Sequence, residues 1–505
     1  MRRAGFVVAV AVSTLLASAW AAPGSTAPRP SRAGQAERVD FNGDGFADLG
    51  VGAPGEDVLG AVDAGALNVL LGSANGLQPT PTVLLQGSGG VAGTAEEGDF
   101  FGAAVAKGDF NADGFFDLAV GAPGEDVGTV ADAGAVNLLY GSAGGLTGGP
   151  LFTDANPEAS DAFGAALAAG DFNGDSFFDL AVGAPDEDVR GALDAGAVTV
   201  LFGSANGITT AGRLTFTQGG GVLTGSAEAG DAFGRALATG LLANDDLADL
   251  VVGVPGEDVG AVQDAGAVNV LAGSAGGLVN GSLATQGNAE AGDAFGAAVT
   301  TGDFDEPAGD DVAVGAPGET VGSQTGAGAV SVFNGPPTGL ASERLLFQGT
   351  AGIPGTPEAG ESFGAALAPT DTNGIGQWDL AVGVPDETVG PDVAAGAVNL
   401  LAGSPTGPAG GTLVLQANPE DFDFFGQAIA GGFFLHDFDN NGFFDLAVGA
   451  PLESAGPLQA VGAVSVFYAS GGPGGTVTPG PVFLQGSGGL GGTAEARDFF
   501  GTALE

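Results

Sequence analysis

Cysteine is absent from this 505-residue chain, so neither disulfides nor thiolate metal sites contribute to it. Histidine occurs once, at His436, and Ser-His or Cys-His nucleophilic sites therefore have no complete constellation. An outward polar role, or support of the loop that follows it, is the expectation for His436. Bases are scarce too: 11 Lys and Arg stand against 60 Asp and Glu, a formal charge of -49. Charged residues make up only 14% of the chain, below the typical ~25%, so the imbalance comes from missing bases and not from an enrichment in acids. With almost no basic surface to neutralise phosphates, nucleic acid and anionic membranes are excluded as partners. Tryptophan and tyrosine number two each, which offers little platform for a sugar and few residues for a protein hot spot. Any partner is expected to bind weakly or through many repeated contacts.

What the chain has instead is a recurring acidic loop. Four nine-residue stretches place oxygen-bearing side chains at positions 1, 3, 5 and 9: Asp40-Asn42-Asp44-Asp48, Asp109-Asn111-Asp113-Asp117, Asp171-Asn173-Asp175-Asp179 and Asp437-Asp439-Asn441-Asp445. Oxygens at that spacing can converge on one hard cation, as the six to eight ligands of Ca²⁺ require. Without a metal, like charges forced together would destabilise the turn. The plain alternative, a tight hairpin turn, accounts for Gly43, Gly45 and Gly114 but not for aspartates at positions 1 and 9. An EF-hand fits worse, because position 12 holds Val51, Val120, Val182 and Val448 where a glutamate belongs, and the following residues read as a buried strand. Formally, four calcium ions would leave a charge of about -41, so metal binding does not by itself explain the acidity.

The loops belong to a larger repeat. A Gly-Ala/Val-Pro tripeptide begins at Gly52, Gly121, Gly183, Gly253, Gly315, Gly383 and Gly449, and a Phe-Gly pair at Phe101, Phe163, Phe233, Phe295, Phe363, Phe425 and Phe500. One period holds four short strand patterns, for example Phe163 to Phe172, Phe177 to Pro185, Gly196 to Gly203 and Leu214 to Gln218. Four-stranded units repeated radially are the signature of an all-β, seven-bladed β-propeller. Recurring pairs such as Phe115-Phe116 and Phe177-Phe178 are expected in the blade core.

The order Phe-Gly, Asp-x-Asn-x-Asp-Gly-x-x-Asp, Gly-Ala-Pro resembles the FG-GAP repeat of the integrin α-subunit propeller and of related bacterial secreted proteins. The resemblance covers residues 38–505. It implies structural calcium in the loops and an interaction or adhesion role. Ring closure has its own signal: the first Gly-Ala-Pro has no Phe-Gly ahead of it and the last Phe-Gly has no Gly-Ala-Pro behind it. Together they make one blade, with Phe500 to Glu505 paired beside the N-terminal residues Arg38, Val39 and Asp40, which removes open sheet edges.

Three further loops keep part of the metal pattern. The fifth has Asp303, Asp305 and Asp311 with Pro307 at position 5, and the sixth has Asp371, Asn373 and Asp379 with Ile375 there. The fourth, with Leu241 and Ala243 at positions 1 and 3, is expected to bind nothing. In a meander these loops all lie on one face. The opposite face carries Glu56-Asp57, Glu125-Asp126, Glu187-Asp188 and Glu257-Asp258, then Asp63, Asp132, Asp194 and Asp264, with Asp99, Asp161, Asp231 and Asp293 further round. The resemblance implies a ligand-binding face there; the bland reading is a solvated acidic rim that aids solubility.

Arg2-Arg3, an apolar run from Val7 to Ala19 and Ala19-Trp20-Ala21 read as an export signal over 1–21, followed by an Ala/Pro/Ser-rich linker over 22–37. The expectation is thus a secreted or cell-surface monomer with about four Ca²⁺ sites, partnered by an extracellular protein or glycan and not inserted in a membrane. It is read as a binding module and not an enzyme, the alternatives being a lectin or a carboxylate-dependent enzyme acting on polysaccharide.

Overall fold

The computed structural model describes residues 38–505 apart from 222, 244, 306–308, 336–339, 432–435, 472–475 and 486–493. The expected signal peptide and linker, and Pro307 of the fifth loop, lie outside the described residues. Six four-stranded antiparallel meanders and one three-stranded sheet follow one another along the chain. Blade 1 runs from Ala104–Gly108 to Thr147–Thr153 and blade 2 from Ala166–Gly170 to Thr209–Phe216. Blade 3 runs from Leu237–Gly240 to Val279–Ala284, and blade 4 from Ala298–Gly302 to Ala341–Leu346. Blade 5 spans Leu367–Thr370 to Ala409–Val414, and blade 6 spans Ala428–Ala430 to Val477–Leu484.

The three-stranded sheet, Leu49–Ala53, Ala66–Leu70 and Thr82–Leu84, is the closing blade 7. Its innermost strand comes from both ends of the described chain. Gly50 N donates to Glu505 O at 2.6 Å and Gly52 N to Ala503 O at 2.9 Å, while Asp48 N donates to Val39 O at 2.6 Å. Residues 500–505 thus form the first half of that strand and Arg38-Val39 the second, as the unpaired Phe-Gly and Gly-Ala-Pro predict.

The repeated motif is the joint between blades. Each Phe-Gly phenylalanine is at most 1% exposed; burying such a ring stabilises by roughly 1.5–3 kcal/mol. Its glycine meets the Gly-Ala-Pro glycine of the preceding blade: a Cβ on Gly121 would lie 2.1 Å from Gly164 O, and one on Gly52 2.0 Å from Gly102 O. Only two residues without side chains allow backbones that close, and Gly164 also takes φ of 97°. The apolar core accordingly lies between sheets. One cluster joins Val198, Val200 and Phe216 of blade 2 to Leu250, Val252 and Leu271 of blade 3, and another joins Leu49 and Val51 of blade 7 to Val464, Val466 and Phe483 of blade 6.

Two sequence expectations shift. The outer strand of blade 2 begins at Thr209, earlier than Leu214, because Thr209 to Gly212 face solvent and carry no apolar pattern. In the Phe-Phe pairs only the second ring is core: Phe116 and Phe178 are buried, whereas Phe115 and Phe177 are half-buried. Phe115 instead covers the loop of the blade before it, its ring 2.6 Å from the position a Cβ would take on Gly43.

Candidate metal centre

The acidic loops connect the first and second strands of their blades, at one end of each sheet. Position 9 opens the second strand. Its carboxylate bridges two backbone amides: Asp48 accepts from Phe41 N and Gly72 N, both at 2.9 Å, and Asp117, Asp179 and Asp445 repeat the pattern with Phe110 and Gly141, Phe172 and Gly203, and Phe438 and Ala469. All four carboxylates are buried. Burial pushes Asp48, Asp117 and Asp179 up to about 7 and Asp445 up to about 8, and neighbouring loop aspartates add to the rise.

Position 1 turns inward in the same way. Asp40 accepts from Gly43 N at 2.6 Å and Gly45 N at 2.7 Å, Asp109 from Gly114 N at 3.0 Å, and Asp171 from Gly174 N at 2.7 Å. Asn42, Asn111 and Asn173 at position 3 donate to Asp44, Asp113 and Asp175 at position 5. Among the described residues, the grouping of three carboxylates close enough to share an ion is Asp437, Asp439 and Asp445, whose oxygens lie within 4.8 Å of one another. Asn441 takes position 5 there; its amide donates to Ala469 O at 2.8 Å and its oxygen accepts from Phe443 N at 2.8 Å. This donor set, with acidic and amide oxygens and no nitrogen or sulfur, suits a hard cation such as Ca²⁺.

The incomplete loops sort by how their position 9 carboxylate is satisfied. In the sixth, Asp379 accepts from the Thr372 hydroxyl and the Asn373 amide, both at 2.6 Å, as well as from Thr372 N and Gly403 N. Neutral donors there replace what a cation would supply, while Asp371 accepts from Gly374 N at 2.7 Å. In the fifth, Asp311 keeps its bonds from Phe304 N and Gly335 N, Asp305 accepts from the Asn334 amide, and Asp303 is buried. In the fourth, Asp249 accepts from Ala243 N and Leu241 N is held by Asp310.

Every loop also fastens the next blade. The position 1 carbonyl of Asp40 accepts from Phe116 N, Asp109 from Phe178 N, Asp171 from Ala248 N, Leu241 from Asp310 N, Asp303 from Trp378 N, Asp371 from Phe444 N and Asp437 from Ala47 N. The position 2 carbonyls of Phe41, Phe110, Phe172, Phe304 and Phe438 take Ser142, Ser204, Ser274, Ser404 and Ser73 N. The seven loops therefore close a hydrogen-bonded circuit from blade to blade.

Sequence reasoning missed the axis of the ring. Lys107 Nζ lies 2.6 Å from Glu505 Oε2, 3.2 Å from His436 Nε2, and donates to Gly431 O at 3.2 Å, beside a central cavity of about 180 Å³. Burial pushes Lys107 down and Glu505 up, and each charge partly restores the other. His436 is buried against Phe438 and beside Lys107 and is not turned outward; burial and then the Lys107 charge lower its pKa well below the usual imidazole value. A lone base in the apolar stretch Ala104–Gly108 was the available signal. On the opposite face, Asp57, Asp126, Asp188 and Asp258 accept from Asp63, Asp132, Asp194 and Asp264 N. Glu56 and Glu257, and Asp99, Asp161, Asp231 and Asp293, are buried, whereas Asp57, Asp126, Asp132, Asp188, Asp194 and Asp264 are exposed, so the acids of this face divide between a solvated rim and the blade junctions beneath it.

Among the described residues, no helix is long and apolar enough to cross a membrane. The FG-GAP repeat model matches residues 38–70, 101–139, 163–201 and 434–467. Those are the segments that carry the four complete loops. The chain is 38% identical over 148 residues to the phosphatidylinositol-glycan-specific phospholipase D of Bos taurus, which is 29% of this chain and 18% of that protein. It is 35% identical over 154 residues to integrin alpha-PS5 of Drosophila melanogaster, or 29% of this chain and 14% of that one. With integrin alpha-4 of Xenopus laevis it shares 38% over 120 residues, 23% of this chain and 11% of the other. The chain thus spans less than a fifth of the length of these relatives. It carries FG-GAP repeats in four places on a β-propeller of seven antiparallel blades.

Proposed function

We propose that this propeller is an exported, calcium-stabilised interaction module and not an enzyme, with Ca²⁺ acting structurally in its acidic loops. The observation that carries the reading is the circuit of loop carbonyls. Each candidate loop is at once an oxygen cage and the bracket that bonds the next blade, so stiffening the cage stiffens the ring. Asp437, Asp439 and Asp445 are the first choice of site, with Asn441 adding an amide oxygen. Asp40, Asn42, Asp44 and Asp48, and the matching residues of the 109–117 and 171–179 loops, are the next. In those three loops the acidic oxygens rest on backbone amides, so an ion would recruit oxygens that already sit at the turn. The self-satisfied 371–379 loop and the 241–249 loop are proposed to remain metal-free, and the 303–311 loop to bind weakly.

An ion filled at about 100 times its dissociation constant adds roughly 2.7 kcal/mol to folding. Thermal melts in calcium and in EDTA test this: a large drop in Tm on chelation is expected, and identical melts would refute the structural role. For the partner, the integrin relatives support an extracellular protein or glycan as ligand. The phospholipase relative argues for one added arm, in which the protein is assayed for turnover of phosphatidylinositol-glycan. Turnover there, or on polysaccharide, would replace the binding-module reading.

A further inference from the structure

On the face away from the metal loops, a second pattern recurs at the blade junctions. A glutamine ending one outer strand donates to the glutamate that follows the next Gly-Ala/Val-Pro: Gln218 to Glu257 at 2.6 Å, and Gln86 to Glu125, Gln286 to Glu319 and Gln348 to Glu387 at 2.7 Å. A second carboxyl group, two residues before each Phe-Gly, comes from the connection between the same two blades. In four junctions the two acids hydrogen-bond each other directly: Asp161 with Glu187, Asp293 with Glu319, Glu361 with Glu387, and Asp423 with Glu453.

Two ionised carboxylates have only acceptors to offer. The other oxygen of each Asp or Glu361 is already bonded by a backbone amide three residues earlier, Glu158, Glu290, Glu358 and Glu420 N, at 2.5–2.7 Å. Asp293 Oδ1 is buried with no donor other than a proton on its partner acid. Asp161, Asp293 and Asp423 are each 1% exposed, and Glu319 2%. The charges that bear on the pairs are acids as well: Glu158 and Asp154, Glu290, Glu358, and Glu420 with Asp392. None of them compensates a second negative charge.

We propose that each of these four junctions holds one proton shared between its two carboxyl groups, so that the ring is clamped in acid and neutral solution and loosens as the pH rises. At the Glu319, Glu387 and Glu453 junctions Gln286, Gln348 and Gln416 fix one oxygen and a backbone amide another, while at the Asp161–Glu187 junction the backbone amide alone does so; in each the shared proton closes the bridge between blades. Burial, followed by the partner's charge, pushes Glu319 up to about 7. A group whose pKa is raised by folding contributes stability below its unfolded value and loses it as the pH climbs through the folded one. The folding constant should therefore fall by up to about tenfold per pH unit for every pair that must release its proton.

The test uses the full chain in saturating calcium, which keeps the metal-loop aspartates ionised throughout. Urea unfolding from pH 5 to 8, which spans the fall expected between the unfolded value of 4.5 and the folded value of about 7 for Glu319, is compared between wild type and the fourfold variant Glu187→Gln, Glu319→Gln, Glu387→Gln and Glu453→Gln. The amide keeps the shape and supplies a permanent donor to the partner acid. Expected are a folding constant that falls with pH in the wild type, a flatter profile in the variant, and a protonated-carboxyl infrared band at pH 7 that the variant loses. Should the fourfold variant fail to fold, Glu319→Gln alone is read by the same band and slope. Equal pH slopes, or no difference in the carboxyl band, would overturn the proposal. So would a calcium count lower in the variant, which would assign the pairs to a cation.

Discussion

Replacing Gly121 by alanine is the sharpest probe of how the blades are joined. Its backbone needs no positive φ, so alanine is penalised by space alone. The new Cβ would lie 2.1 Å from Gly164 O of the next blade, about 1.4 Å short of ordinary contact. Both atoms belong to backbones held in sheets, since Gly121 pairs with Val136 and Ala104 while Gly164 N donates to Gly183 O. The clash is relieved only by parting two blades whose side chains interdigitate. Overpacking of this kind costs about 1–3 kcal/mol, and separating two backbones places Gly121→Ala near the upper end, about 3 kcal/mol. Gly144→Ala is the control: its Cβ would find Ser142 Oγ at 3.7 Å, and the change should be neutral or stabilise by up to about 1 kcal/mol through the unfolded chain. Urea unfolding of both variants in calcium measures the difference. If Gly121→Ala loses no more than about 0.5 kcal/mol, the close glycine joint is not what spaces the blades.

Two further outcomes are expected. Removing Phe500 to Glu505 takes away a fully buried ring and the backbone partners of Gly50 and Gly52; the ring should open, with a larger hydrodynamic radius and proteolysis within blade 7, and an unchanged radius and melt would contradict closure by this strand. Calcium affinity should rise with pH between about 6 and 8, because Asp48, Asp117, Asp179 and Asp445 sit near 7 to 8 without metal and must shed protons to bind it. Calorimetry at several pH values that gave one affinity would show that these aspartates are not ligands.

The periodic features of this molecule were readable because each repeats with its chemistry intact. Phe163 and Gly164, Gly183 to Pro185 and the aspartates between them named the blade, its joint and its loop, and the orphaned Phe500 named the seam. Features set by unique contacts were not. Nothing in the sequence marks Lys107 and Glu505 as neighbours, since they are brought together by closure of the ring. His436 precedes a polar loop and so reads as exposed, yet it is buried beside Lys107 and Phe438. Phe115 and Phe116 are identical letters, and because neighbouring side chains point to opposite sides, one ring enters the core while the other lies on Gly43 of the neighbouring loop. The sixth loop shows the limit of motif counting: Thr372 and Asn373 satisfy Asp379 from within, an alternative visible only once hydroxyl, amide and carboxylate are placed together.

Counting bound ions by native mass spectrometry, for the chain equilibrated in calcium and for its Asp437→Ala/Asp445→Ala variant, tests the central claim most directly. The account predicts about four Ca²⁺ per chain, one for each complete loop, and one fewer in the variant. A wild-type mass without calcium, or a count that the paired substitution leaves unchanged, would contradict it.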